Sequence, residues 1–543
     1  MNLVTALHEL ASDLARVPSL WSFIFFLPIF AAHIFPPGWA FPYGRRAMIA
    51  AVLVLFLLEL LTHIFYTAEN SLSGYAGLYA DTAWSSSNGQ PLYTSPDSPF
   101  RYSLPYGPDG YLFVAAFQHL LGPSPFSSKL PIFCSWLGAF VFLYLALRVR
   151  HKWDTSLAIV TLGMALLPNF QEFEFWPRPD LFLLFFVLLA LWIVVKNFRL
   201  SWIWLGLILG ISVNLKVHGF VYFLPIIALL LQKRPHFLAV AALIIVFCVA
   251  LLPFFFFHQI SLFNYFHVTR MDSGHRFSPS LMSEIFGFLV VLSLTGLAPF
   301  IIYNVDRDKT WAILAKNGPF LLGLVLGLLI VIYPASLEGA GEHHLIPFTG
   351  LILFLGASFY ADVEAYGRPR LDVSPMGSSL VLSQWSFISI YALIVNLTFF
   401  THFQADNREA QIRRTDLNQI MHEYGNEVIL DAPGSLRAIE TDTSSSDLVF
   451  HGMPIGINPF AIMDFTEGHV PEPALDKLVN EVENQYHRKV IWISPRREEP
   501  FSETSYYSPQ GRVFSKLFVQ DFHRRFQLAG HSDYFDIYQD TMP

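Results

Sequence analysis

The chain has 543 residues, of which 53% are hydrophobic, 16% aromatic and only 14% charged, with a mean hydropathy of +0.44. Soluble domains carry about 25% charged residues, so this composition excludes an ordinary soluble globule and indicates an integral membrane protein. A formal net charge of −8 offers no broad basic surface, which argues against a nucleic-acid partner. The two cysteines, Cys134 and Cys248, both fall in apolar runs and define no disulfide framework.

In chain order, residues 1–19 carry acids among helically spaced apolar residues and read as an amphipathic interfacial helix rather than a cleavable signal. A bilayer crossing needs about 20 mostly apolar residues. Candidate spans lie at 20–35, 46–65, 128–147, 155–170, 181–197, 200–215, 219–232, 237–257, 284–303, 313–333, 345–361 and 380–401, giving about twelve transmembrane helices. Lys and Arg gather in alternate short loops: Arg45 and Arg46; Arg148, Arg150 and Lys152; Lys196 and Arg199; Lys233 and Arg234; Arg307 and Lys309; Arg368 and Arg370. By the positive-inside rule these loops face the cytoplasm, and the intervening segments 66–127, 171–180, 216–218, 258–283 and 334–344, with everything after about residue 402, face outward.

Within the outer loop, YLFVAAFQHLLG (111–122) has the spacing of a helix lying along the membrane. Residues 403–543 turn to a soluble composition. Apolar stretches at 427–433, 447–452 and 489–494, with a helical pattern at 473–486, predict a small outer α/β domain following a transmembrane domain at 20–402.

Ionisable residues at membrane depth or at helix ends are costly and mark candidate sites. Here they collect on the outer side: Asp81; Glu172, Glu174, Arg178 and Asp180 in QEFEFWPRPD; Lys216 and His218 in NLKVHGF; His258, His267, Arg270, Asp272, His275 and Arg276; and Glu338, Glu342, His343 and His344 in SLEGAGEHHLIPF. Arg178, Lys216, Arg270 and Arg276 have the chemistry to hold a phosphate, and a carboxylate such as Asp81 has that of a general base. Each has a plainer alternative: a loop cap for Asp81, a snorkelling interfacial lysine for Lys216, and a local ion pair for Arg178 and Asp180. His343, His344 and Glu342 are ligand types suited to a divalent metal, although adjacent histidines form no zinc motif. Tyr79, Trp84, Tyr102, Tyr106 and Trp176 are candidates for stacking on sugar rings or for loop packing.

The acidic loop opening YADTAW, the following GQPLYTSPDSPFRYSLPYGPDGYL, the surface helix, the RPD turn at 178–180, KVHGFVYFLP (216–225) and GEHHLIPF together resemble the GT-C glycosyltransferases. That superfamily includes protein O-mannosyltransferases, the lipid A aminoarabinose transferase and lipopolysaccharide core galacturonosyltransferases. The resemblance covers the layout of residues 46–401. It implies a membrane enzyme moving a sugar from a polyprenyl-phosphate donor to a hydroxyl of an envelope lipid, glycan or protein, by inverting displacement at the outer face of a bacterial inner membrane. It further implies Asp81, the acidic residue of the first loop, as the catalytic base, with Arg178, Lys216 and His218 at the donor phosphate; Asp180, Glu172, Glu338, Glu342, His343, His344, Arg270 and Tyr106 are further site candidates by residue type and position. No cofactor is required beyond a possible divalent metal. The paired acid of many relatives is absent, since Thr82 follows Asp81. A transporter or flippase of a lipid-linked or anionic solute is the competing class; it calls for charges at the bilayer midplane beside broken helices. A membrane anchor displaying the C-terminal domain as a binding module is the third.

Overall fold

The computed structural model describes residues 44–68, 71–72, 74–167, 177–233, 237–272, 275–304, 306–366, 368–369, 410–434, 444–467, 470–505 and 512–541. The expected helix at 1–19, the spans at 20–35 and 380–401, and Glu172, Glu174 and Trp176 lie outside the described residues.

Helices stand at the positions expected for the spans from 46–65 to 345–361. In order they are α1 (Gly44–Ala68), α2 (Gly74–Ser87), α3 (Pro108–Leu121), α4 (Pro125–Leu147), α5 (Trp153–Leu166), α6 (Pro179–Val195), α7 (Ser201–Val213), α8 (Leu224–Lys233), α9 (Phe237–Phe256), α10 (Leu262–Asp272), α11 (Pro279–Ile302), α12 (Arg307–Ala335) and α13 (Ile346–Tyr366). Short 3₁₀ turns at Gly219–Phe223 and Glu342–Leu345 lead into α8 and α13. Among the described residues, four stretches are long and apolar enough to cross a membrane: Pro125–Leu147, Leu238–Phe256, Arg307–Ala335 and Glu342–Val363. The other apolar helices are shorter, among them Val52–Ala68, Pro179–Val195 and Ser201–Val213.

Local sequence sets the helix ends. Ser124 and Ser127 form a reciprocal capping box ahead of Pro125, satisfying backbone donors that the first turn of α4 leaves open. Pro179 occupies the first turn of α6 and holds Arg178 extended at φ −138°, with Asp180 complementing the helix dipole. α4 packs on α6, α6 on α13, α7 on α9, and α8 on α12. A small ribbon, β1 (Tyr303–Asn304) with β2 (Arg368–Pro369), links two helix ends.

Directionality places the polar residues. α6 and α13 start, and α7 and α12 end, at the side of the bundle that carries Asp180, Lys216 and the two adjacent histidines. The opposite ends carry Lys196, Lys233 and Arg307, and there Lys233 Nζ donates to the carbonyl of Val194 at 3.1 Å. The segregation of basic loops from the polar cluster is therefore a property of the fold as well as of the sequence.

Beyond residue 410 the chain builds a four-stranded sheet, β3 (Val428–Asp431), β4 (Val490–Pro495), β5 (Phe526–His531) and β6 (Phe535–Asp540), in the order β3-β4-β6-β5. β3 and β4 are parallel, and β6 is antiparallel to both β4 and β5. One face buries Ile429, Ile491, Ile493, Phe535 and Ile537 under Leu417 and Ile420 of the helix at 410–423, α14. On the other, Trp492 meets Phe501, Phe522 and Phe526 edge-on. The stretch 447–452, grouped in sequence with the two apolar β segments, instead falls in and just after α15 (Ser444–Phe450), which its run of serines and Asp447 starts. α16 (Pro459–Glu467), α17 (Leu475–Tyr486) and α18 (Lys516–Arg525) complete this unit.

The unit rests on α2 and the loop that follows it. Arg101 exchanges backbone hydrogen bonds with Gly456 and Asn458, Lys477 Nζ donates to the carbonyl of Asp97 at 2.7 Å, and the Tyr75 ring lies tilted against that of Phe460 at 4.4 Å. α2 is thereby held between the bundle and the C-terminal sheet.

Candidate functional site

The extended backbone at Arg178 directs its side chain off the end of α6 into a buried polar cluster. Its Nη2 donates to Tyr106 Oη at 2.6 Å and lies 3.1 Å from His343 Nε2, which makes Nε2 the acceptor and assigns the imidazole proton to Nδ1. Lys216 Nζ donates to Asp180 Oδ1 at 2.7 Å, and Arg178 Nε stands 4.0 Å from Asp180 Oδ2. Two cations thus share one carboxylate, and Arg178, Lys216 and Asp180 are all at most 5% exposed. Tyr106 lies under both cations, its ring 5.7 Å from the guanidinium and 5.6 Å from the ammonium; the Tyr75 ring is 5.8 Å from Arg178. Behind them, His344 Nδ1 is 3.3 Å from His218 Nε2, and Tyr222 Oη donates to the His344 carbonyl at 3.0 Å. Burial, with the Lys216 charge alongside, pushes His218 down to about 3, so that imidazole is neutral at physiological pH.

Tyr106 reaches this position because YGPDGY folds tightly against the turn after α7. The Gly107 amide donates to the Leu215 carbonyl at 3.0 Å and the Asp109 amide to that of Asn214 at 3.2 Å. A Cβ on Gly107 would stand 1.9 Å from the Asn214 carbonyl oxygen, and one on Gly110 2.0 Å from Tyr79 Oη, so both close approaches require glycine. Tyr79 stacks on Tyr111 at 4.1 Å and leans on Tyr106 at 5.7 Å. Asp109, at the start of α3, is pushed up to about 7 by burial, with a hydrogen bond from Asn214 opposing the rise.

The fold therefore brings together Arg178, Asp180, Lys216, His218, His343, His344 and Tyr106. It does not bring Asp81 among them. Tyr75 and Tyr79 are four apart and share the face of α2 turned to the cluster, whereas Asp81, two residues further on, is rotated by about 200°. Asp81 is 1% exposed and faces Ser446 of α15. Burial holds its carboxyl well above the ordinary carboxylate range, against a hydrogen bond with Ser446, and the nearby Asp447 adds to the rise.

The remaining candidates scatter. Arg270 is exposed on α10, and Glu338 is half-buried, its amide bonded to the Arg276 carbonyl at 2.9 Å. Glu342 is buried in the 3₁₀ turn before α13. Among the described residues no three His, Cys, Asp or Glu side chains are placed to hold a metal ion, and His343 Nε2 already faces a guanidinium. Tyr102 is loop packing, its hydroxyl donating to the Pro91 carbonyl at 2.8 Å, and Trp84 packs against His119. Sequence reasoning passed over Tyr75 and Asp109; the two glycines flanking Pro108 and Asp109 were the available signal.

Residues 104–349, which contain the cluster from Tyr106 to His344, match the model of Glycosyltransferase family 87. No curated protein matches the chain. Among solved structures, ArnT from Cupriavidus metallidurans in the apo state aligns with a TM-score of 0.55 at 11% identity, over 90% of this chain and 97% of that one. The same enzyme bound to undecaprenyl phosphate gives 0.56 at 12% identity with the same coverage. The oligosaccharyltransferase of Archaeoglobus fulgidus aligns with a TM-score of 0.44 at 11% identity, over 84% and 70% of the two chains. The chain has the fold of ArnT, in agreement with the GT-C fold expected from the sequence, and its residues 104–349 are similar to a glycosyltransferase family. More particularly, the segment that carries its buried cations is the segment similar to family 87.

Proposed function

We propose that the protein transfers a sugar from a polyprenyl-phosphate donor to an acceptor hydroxyl at the outer face of a bacterial inner membrane, with Arg178, Lys216 and Tyr106 receiving the donor phosphate. The observation that carries this reading is the convergence of two buried cations on a single carboxylate, beside the N-terminus of α6. A planar guanidinium, an ammonium, a phenol and a helix N-terminus together suit a phosphate. The comparison enzyme ArnT has been seen with undecaprenyl phosphate, which supports this donor class. Long apolar helices at the cluster would shelter the polyprenyl tail.

The acceptor oxygen attacks the anomeric carbon as the bond from that carbon to the phosphate oxygen breaks. The phosphate takes the electron pair, and Arg178 and Lys216 stabilise the charge that develops on it. Asp109 accepts the hydroxyl proton: it sits on the turn that binds the loop bearing Lys216, and its pKa of about 7 suits a base working near neutrality. One displacement inverts the anomeric centre. Transport is disfavoured because the charges gather at helix ends, at one side of the bundle, rather than along a path through it.

Binding tests the phosphate assignment. Undecaprenyl phosphate titrated into the purified protein in lipid nanodiscs is expected to bind wild type at least tenfold more tightly than Lys216→Met, about 1.4 kcal/mol or more. Equal affinities would remove Lys216 from the donor site.

A further inference from the structure

The face of α2 opposite the cation cluster borders a second cleft, between the bundle and the C-terminal sheet. It is lined by Asp81 of α2, Asp431 at the carboxyl end of β3, Pro495 at the carboxyl end of β4, Ser445 and Ser446 of α15, and Asn458. Its empty space is about 440 Å³, open solvent included. The carboxyl ends of adjacent parallel strands are where open α/β sheets bind ligands.

The side chains restrict what enters. No Lys, Arg or His lines the cleft, so a phosphate or carboxylate ligand would meet two carboxylates and no cation. Acidic side chains, hydroxyls and an amide share the wall with the apolar surface of Leu72, Leu78 and three prolines, a mixture that suits a neutral ligand carrying both hydroxyl groups and C–H faces. An independent observation points the same way. Asp81, 1% exposed, has an Oδ1 with no hydrogen-bond partner, although a buried acceptor left unpaired costs about 1–3 kcal/mol. A ligand hydroxyl entering the cleft would satisfy it. Among the described residues no metal-binding group forms there.

We propose that this cleft is a saccharide-binding subsite that holds the glycan part of the acceptor, Asp81, Asp431 and Asn458 receiving its hydroxyl groups. The proposal rests on the glycosyltransferase reading above and supplies its acceptor class. α2 then serves both substrates: its tyrosine face supports the donor cations and its Asp81 face borders the acceptor. The two sites are separated by about the 10 Å diameter of a helix, the reach of one or two sugar residues beyond the reacting hydroxyl.

The test is saturation-transfer NMR on the full chain in nanodiscs, with glucose, galactose, mannose, N-acetylglucosamine and their disaccharides as probes, alongside the undecaprenyl phosphate titration. At least one saccharide is expected to bind wild type. Asn458→Leu and Asp431→Asn are expected to weaken it tenfold or more while leaving undecaprenyl phosphate affinity unchanged, and Lys216→Met is expected to do the reverse. Ser446→Val, at the cleft wall, serves where either variant melts early. Saccharide binding that survives the cleft variants, or a wild type that binds the lipid phosphate and no saccharide, overturns the subsite. A wild type that binds saccharide through the cleft but not the lipid phosphate would leave the subsite standing and defeat the donor reading.

Discussion

Lys216 and Asp180 form a 2.7 Å ion pair out of contact with bulk solvent, and Arg178 leans on the same carboxylate. Removing one partner of such a pair costs about 3–5 kcal/mol, because it strands the other charge. Asp180→Asn is therefore expected to lower the melting temperature by several degrees as well as to weaken donor binding; calorimetry showing an unchanged melting point would mean that the pair is not buried as described. Asp109 sets the pH dependence. A base is active only when deprotonated, so with a pKa of about 7 the rate constant kcat/KM should rise with pH through that value and level off above it. Asp109→Asn should lose at least a hundredfold in rate along with this limb. A flat profile between pH 6 and 8, or an active Asp109→Asn enzyme, contradicts the assignment. At this scale the cluster was largely legible. Arg178, Lys216, His218 and His343 stand out because charge is scarce in an apolar chain and costly at helix ends. Asp81 was less so: its chain neighbours suggest the active side, but helical rotation decides which way the carboxyl turns.

At the scale of elements, the turn YGPDGY sets Tyr106 beneath the two cations, through backbone hydrogen bonds to the turn after α7. Gly107→Ala would force its new methyl against the Asn214 carbonyl oxygen and push the turn away from Lys216. The expected result is a loss of donor affinity at least as large as that of Tyr106→Phe, read in the same lipid titration; wild-type affinity in the alanine variant would show that the turn has slack. The apolar helices were legible from hydropathy, and RPD as a helix start from proline chemistry. Gly107 was visible too, but the Asn214 carbonyl it approaches lies about a hundred residues downstream, and no local pattern encodes that. Strands β3 and β4 follow from their apolar runs, whereas DLVF is helical behind its serines, with Asp447 in the first turn.

Among the described residues two polar centres are divided by one helix: a cationic cluster on the bundle side of α2, and a cleft with two acidic side chains beneath the C-terminal sheet. Basic loops occupy the far end of the bundle, as expected for a membrane enzyme working at the opposite face. Long-range contacts seat the C-terminal unit on α2 and the loop after it, and so enclose the cleft. Tyr75 bonds to Asp464, and Arg101 pairs with Ile457, across more than three hundred residues. Sequence periodicity carries no such information, which is why the cleft was not legible while the bundle was. The central claim is tested most directly by sugar transfer itself. Purified protein in nanodiscs is given a panel of undecaprenyl-phosphate sugars with membrane lipid, glycan and protein acceptors, and wild type is compared with Arg178→Gln. Wild type should release undecaprenyl phosphate and form a product of inverted anomeric configuration from at least one donor, and Arg178→Gln should be slower by a hundredfold or more. Transfer at the wild-type rate by Arg178→Gln, or retention of anomeric configuration in the wild-type product, would contradict it.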